Sequence, residues 1–199
     1  MDNEQDSDEV LVQRAGLGDK HAAEMLVERH TDKIYAVCFK MLGSQHAAED
    51  ATQETFLRLW RNAGKWKPAG AKFSTWLYRV AMNFCLDQLR KTKRDAPEEA
   101  APEQVDHAPR PDDTYLAGEK RFIIDEALSA LPPRQRMALT LCHFQELTNI
   151  EAAQVMEISV DALESLLARG RRALRDRLTP LREELTGKMS DEPTANISG

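Results

Sequence analysis

From Arg58 to Arg94 aromatic rings are interleaved with positive charge. Trp60, Trp66, Phe73, Trp76, Tyr78 and Phe84 sit among Arg58, Arg61, Lys65, Lys67, Lys72, Arg79, Arg90, Lys91, Lys93 and Arg94. That mixture suits a nucleic-acid strand whose bases have left their stack, because each base can lie on a ring while its phosphate meets a cation. Helical spacing also suits Trp60 and Phe84 to a core, and leaves Trp76 open between the two roles.

A second segment, Thr148 to Arg169, has the layout of a helix-turn-helix. Thr148 and Glu151 form a capping box, in which the hydroxyl takes one free amide and the carboxylate reaches back to another. Small Ala152 and Ala153 allow two helices to approach closely. Ile158 and Val160 flank the turn and can plug the angle, and Ser159 can cap the second helix. That helix carries Leu163, Leu166 and Leu167, then Arg169, Arg171, Arg172 and Arg175. An apolar corner followed by a basic helix is what major-groove insertion requires. Glu157 stands where many such turns carry glycine.

Catalytic constellations are missing. No GxxxxGK, HExxH or GxSxG motif occurs, so the reading is a non-enzyme. The three cysteines, Cys38, Cys85 and Cys142, are odd in number and lack CxxC spacing, which argues against a disulfide framework or a zinc finger. Cys142 and His143 are adjacent rather than at ligand spacing, and His21, His30, His46 and His107 are scattered. No metal or cofactor is expected.

The elements that must position these residues are helices. Ala22, Met25, Leu26, Ile34, Val37, Cys38, Met41 and Leu42 follow three-and-four spacing. Gly43 ends that run and Ser44 caps the next helix, which puts Ala48, Ala51, Thr52, Phe56, Leu59 and Trp60 on one face. Gly64, Pro68 and Gly70 break the pattern. A further helix from near Ser74 turns Leu77, Val80, Ala81, Phe84, Cys85 and Leu89 inward. Later, Phe122, Ile123, Ala127, Leu128 and Leu131 form one stripe. Pro132-Pro133 opens a helix continued by Met137, Ala138, Leu141 and Phe144. No window alternates with period two, so the fold class is all-α.

The chain has 199 residues, 42% hydrophobic and 30% charged, with net charge −6. The charge is sorted. Arg58 to Arg94 holds ten Lys or Arg against Asp87, a local +9, and Arg169 to Arg177 holds five Arg against Asp176, a local +4. Asp95 to Glu119 holds eight acids against Arg110, a local −7, and four of the nine prolines. Segmental charge is a better guide to partners than the sum. The predicted organisation is two small helical bundles, 8–94 and 116–185, joined by a flexible acidic linker, 95–115, with a disordered tail, 186–199. Extended, such a linker reaches roughly 70 Å, enough for the bundles to contact separate sites on one duplex. No apolar run approaches the ~20 residues of a membrane span, and the N-terminus is polar and acidic, so the expected location is the cytoplasm, without membrane insertion.

From about Leu11 to Leu178 the chain resembles the extracytoplasmic-function sigma factors, small two-domain members of the sigma-70 family of RNA polymerase specificity subunits. The resemblance rests on the run from Ala48 to Trp60 (AEDATQETFLRLW), on Phe73 to Asn83 (FSTWLYRVAMN), on Ala130 to Arg136 (ALPPRQR) and on the helix-turn-helix. It implies that Asp50, Gln53, Glu54 and Phe56 dock on core RNA polymerase; Asp50 and Glu54, four apart, share a helical face. It implies that Lys72 to Lys91 reads and helps open the −10 element, with Phe73, Trp76, Arg79 and Asn83 on the non-template strand and Lys72, Arg90 and Lys91 as supporting cations. An unpaired base can be read on its edge in a pocket. It implies that the second bundle reads the −35 element as duplex, through Ser165, Arg169, Arg171, Arg172 and Arg175. It also implies an anti-sigma partner. The recognition helix departs from the family habit of threonine and basic residues in its first turns, having Ala162, Glu164 and Leu166 there.

Two other functions fit parts of the chain. A stand-alone helix-turn-helix repressor explains the second bundle and predicts tight duplex binding without polymerase. A purely protein-binding adaptor predicts no salt-dependent affinity for nucleic acid, whereas phosphate contacts impose a steep salt slope.

Overall fold

A computed structural model describes residues 6–67, 72–95 and 115–190. They form helices α1 (Asp8–Gly16), α2 (Lys20–Leu42), α3 (Gln45–Ala63), α4 (Phe73–Asp95), α5 (Tyr115–Ser129), α6 (Pro133–Leu139), α7 (Asn149–Met156) and α8 (Val160–Ser190). A π-helical turn, Thr140–Phe144, extends α6. No strand occurs among the described residues.

Local chemistry sets the ends of these helices. The Ser44 hydroxyl accepts from the Ala47 amide at 3.4 Å, and Gly43 before it adopts φ 71°, which costs glycine little. Asp19 caps α2 by accepting from the amides of His21 and Ala22 at 3.0 and 3.2 Å. Pro133 occupies the first position of α6, where its missing N–H has no role.

Helices α1 to α4 form the first bundle, around Leu11, Leu26, Ile34, Met41, Leu59, Phe73, Leu77 and Met82, all nearly or fully buried. The ends of α1 and α3 meet backbone to backbone. A Cβ on Gly16 would lie 2.7 Å from the Gly64 nitrogen, so only glycine permits this approach. Cys38 and Cys85 are free, buried thiols, and Cys85 is pushed well above the usual thiol range by its bond with Cys38 and by burial.

Helices α5 to α8 form the second bundle, around Leu128, Met137, Leu139, Leu141, Leu163 and Leu167. Gly170 lets α8 lie on α6, with Leu139 Cδ1 2.8 Å from where its Cβ would be. Phe122 and Phe144, read above as stripe residues, are 44% and 39% exposed. Lys40 from the first bundle lies over the Phe144 ring, 4.8 Å from its centroid.

The two bundles touch. Helix α2 packs on α5 and the π-turn, and α4 packs on α7. Arg136, buried, donates from Nη1 to the Met41 carbonyl at 2.6 Å, so the second bundle satisfies a free carbonyl at the end of α2. Its other amino group donates to the Ser129 carbonyl, and burial lowers its pKa to about 10. The predicted linker falls almost wholly on 96–114, outside the described residues. Helix α8 continues to Ser190, past the predicted boundary at 185. Residues 191–199 of the predicted tail are outside the described residues.

Candidate nucleic-acid interface

Helix α4 and the end of α3 wall a cleft of about 480 Å³. Its rings are Trp66 and Trp76, its cations Arg58, Lys65, Lys67 and Arg79, and its amides Asn62 and Asn83. Trp76, Arg79 and Asn83 were expected from sequence. Asn62, Lys65, Trp66 and Lys67 come from the end of α3 and the residues after it; the only sequence signal for them was the aromatic-basic mixture itself.

Phe73 requires a correction. It is fully buried, its ring edge-on to Trp66 at 5.7 Å and to His30 at 5.5 Å, and 6.0 Å from Trp76. The first turn of α4 is pinned to α1, since the Phe73 amide donates to the Glu9 carboxylate at 3.3 Å. In this structure Phe73 is thus a core residue outside the cleft lining, the floor on which Trp66 and Trp76 rest.

A second groove, about 290 Å³, continues along α4 and is lined by Arg58, Phe84, Arg90, Lys91 and Arg94. Arg58 lies over the Phe84 ring, 5.2 Å from its centroid, and borders both hollows. Arg90 is exposed and 3.2 Å from Asp87, and Lys91 is exposed. Together the hollows make a mainly basic track, with the two tryptophans in the first hollow and Phe84 and the acid Asp87 in the second.

On the outer face of α3, Asp50 and Gln53 are exposed. Asp50 lies 3.6 Å from His46 Nε2. Glu54 accepts from Arg58 Nε at 2.8 Å and lies 3.6 Å from Arg61; the Arg58 bond holds its carboxyl below the usual range. Phe56 is a second correction. At 7% exposure it packs inward beside Trp60, since it belongs to the same stripe as Thr52 and Leu59. The exposed apolar residue of this face is Leu57, at 48%, which the sequence reading passed over.

In the second bundle the capping box is complete. Glu151 N–H donates to Thr148 Oγ1 at 3.3 Å and Thr148 N–H to Glu151 Oε2 at 3.1 Å. Glu157 takes the left-handed conformation usual for glycine, φ 54° and ψ 47°. Ser159 caps α8 through the Ala162 amide at 3.2 Å. Ser165, Arg169, Arg171, Arg172 and Arg175 are all exposed on α8. The Ser165 hydroxyl donates to the Asp161 carbonyl, and Asn149 donates to Glu164 at 3.3 Å.

Two cations, Arg79 of the cleft lining and Lys72 just before α4, are engaged across the bundles. Lys72 Nζ is 2.8 Å from Glu151 Oε1. Arg79 donates to the Gln154 carbonyl at 2.7 Å and lies 3.1 Å from the Glu157 carboxylate. Between them Tyr78, buried, donates to Gln145 Oε1 at 2.9 Å.

Residues 26–95 match the family description "Sigma-70 region 2" and residues 121–174 match "Sigma-70, region 4". The ECF RNA polymerase sigma factor SigW of Bacillus subtilis (strain 168) is 36% identical over 174 residues, covering 82% of this chain and 92% of SigW. The RNA polymerase sigma-H factor of Pseudomonas aeruginosa is 32% identical over 190 residues, covering 90% and 98%. The fold is similar to that of the sigma factor RpoE from Bartonella quintana, solved with the anti-sigma factor NepR. There the TM-score is 0.66 at 21% identity, over 78% of this chain and 96% of that one.

Proposed function

Because the chain belongs to the extracytoplasmic-function group of the sigma-70 family, we propose that it brings core RNA polymerase to promoters through three surfaces set by the geometry above. It is a specificity subunit and supplies no catalytic group of its own. The observation that carries the residue-level reading is the cleft lined by two tryptophans, four cations and two side-chain amides.

An unstacked base enters that cleft. Trp66 and Trp76 offer faces or edges for stacking, worth about 1–3 kcal/mol per base. Asn83 brings a donor pair and an acceptor to a base edge, whereas Asn62, whose Nδ2 donates to the Arg58 carbonyl at 2.7 Å, brings its acceptor and its remaining donor. Arg79 meets a phosphate in the cleft, Lys72 meets one just before α4, outside the cleft lining, and Arg58, Arg90 and Lys91 carry the backbone along the second groove. Helix α3 docks on the polymerase through Asp50, Gln53 and Glu54, with Leu57 rather than Phe56 as the apolar contact. Helix α8 enters duplex at the −35 element with Ser165 and Arg169 nearest its start and Arg171, Arg172 and Arg175 along the phosphates. The working organisation is a strand-opening bundle at 8–94 and a duplex-reading bundle from 116. An anti-sigma protein that covers these surfaces is the expected regulator, and the cytoplasm the expected location.

The test is reconstitution of the full chain with core RNA polymerase on a genomic promoter library, with transcript starts sequenced. Starts at defined sites sharing two spaced elements support the reading. Random or absent initiation contradicts it.

A further inference from the structure

Helix α1 lies before residues 26–95, the match to sigma-70 region 2, and the function proposed above gives it no part. Yet it packs on both helices that carry the cleft, α3 and α4. Its nine residues, about 14 Å of helix, touch α4 at their start and the end of α3 at their finish.

At the start, two adjacent carboxylates hold Phe73. Glu9 Oε1 accepts from the Phe73 amide at 3.3 Å. That amide is in the first turn of α4, where no carbonyl of the same helix can serve it, and a carboxylate there also meets the positive end of the helix. Asp8 Oδ2 lies 2.7 Å from His30 Nε2, and the His30 ring stands edge-on to the Phe73 ring at 5.5 Å. The Phe73 ring is in turn 5.7 Å from the Trp66 ring and 6.0 Å from the Trp76 ring, centroid to centroid. Close-packed groups transmit displacement, so a shift of Phe73 is felt by both tryptophans.

At the finish, α1 abuts backbone. A Cβ on Gly16 would lie 2.7 Å from the Gly64 nitrogen and 2.8 Å from the Ala63 carbonyl carbon. The Ala63 carbonyl accepts from the Trp66 amide at 3.2 Å. The peptide that anchors Trp66 is thus the one against which α1 rests. Leu11 and Val12, between the two contacts, are fully buried and fix the helix in place.

We propose that α1 is the positioning element of the strand cleft, with Glu9 and His30 as its positioning residues. It sets the separation of Trp66 and Trp76 before a base arrives, so the incoming base does not have to order the rings. Neither Glu9 nor His30 lines the cleft, and each acts through Phe73. This rests on the reading of the cleft as the site of the unstacked base.

The test uses the full chain labelled with 5-fluorotryptophan. The sequence has three tryptophans, so the fluorine spectrum has three resonances, assigned by exchanging each tryptophan in turn for phenylalanine. Glu9→Ala is expected to shift Trp66 and Trp76 and to leave Trp60 in place. His30→Leu, which fills the space without the edge-on ring or the Asp8 bond, is expected to shift the same two. In holoenzyme on a cognate promoter, permanganate reactivity of unpaired thymines is expected to fall about tenfold in Glu9→Ala, the scale of one hydrogen bond to a charged group, with closed-complex affinity within about twofold. Glu9→Gln keeps an acceptor and is expected to restore both spectrum and opening. Ser44→Ala removes a cap at the opposite end of α3 and is expected to change neither. Unmoved Trp66 and Trp76 resonances in Glu9→Ala or His30→Leu overturn the positioning role of that residue and leave the cleft reading standing. An equal loss of opening in Ser44→Ala reduces the effect to stability and overturns the positioning role as well. Shifted resonances with unchanged opening show that the placement of the rings does not matter to the strand, which contradicts the cleft reading and takes the positioning role with it.

Discussion

Trp76→Ala isolates the opening step. Trp76 is half-buried, with its inner side on Phe73 at 6.0 Å and its outer side in the cleft. Removing it withdraws one stacking surface, about 1–3 kcal/mol, which at 1.4 kcal/mol per decade is roughly a five- to 150-fold loss in the open-complex equilibrium. The fold pays less than for a core tryptophan: about 2 kcal/mol, since only part of the ring is buried. The assay is permanganate footprinting of reconstituted holoenzyme on a cognate promoter, beside a gel-shift of the closed complex held at low temperature. Unpaired thymines should lose reactivity while closed-complex affinity stays within about twofold. Trp76→Phe, which keeps a ring, should recover most of the signal. An unchanged footprint for the alanine variant refutes the stacking role. Equal loss of closed and open complexes shows instead that the residue only supports the bundle.

The glycines separate backbone contact from side-chain contact. Gly16→Ala drives a Cβ into the Gly64 backbone and should cost about 2 kcal/mol by chemical denaturation, whereas Gly170→Ala meets only the tip of Leu139 and gains helix propensity, so its effect should fall within about 1 kcal/mol of zero. Asp50→Lys should abolish association with core polymerase in a pull-down while leaving the melting curve unchanged, because the side chain is exposed; Leu57→Ser should weaken the same association, and Phe56→Ser should instead unfold the bundle. Acid should loosen α1. The Asp8 carboxyl accepts from His30 at 2.7 Å and lies 3.2 Å from Arg29, and the His30 bond, aided by the arginine, holds it below the usual carboxylate range. Its contribution is thus present above pH of about 4 and lost as pH falls through the lower folded value; Asp8→Asn should flatten that limb of the stability–pH curve.

Local signals in the sequence were read well because their physics is local. Ser44, Pro133, Ser159 and the Thr148–Glu151 pair each act within one helical turn, and each does so in the structure. Two candidate site residues, both buried in the structure, show where resemblance and periodicity point differently. Phe56 already lay on the buried stripe with Thr52 and Leu59, and Phe73 stands one turn before Leu77 on the inward face of α4. In both cases the three-and-four spacing held the answer. Leu57 was hidden because an exposed leucine has no pattern of its own. The contacts between bundles were out of reach for another reason. Lys72 and Glu151 are 79 positions apart, and nothing in the spacing of either helix encodes which partner the other will meet. Glu157 in a left-handed turn belongs with these, since its type argues against the conformation and its surroundings impose it.

The claim on which the account turns is that one chain holds opened strand and closed duplex at different surfaces. A photo-crosslinking amino acid placed at Asn83 in one variant and at Arg169 in another, each assembled with core polymerase on a cognate promoter, measures this directly. The account predicts that position 83 attaches to an unpaired non-template base in the −10 region and position 169 to duplex upstream. Attachment of both positions to the same base pairs, or of position 83 to duplex alone, contradicts it.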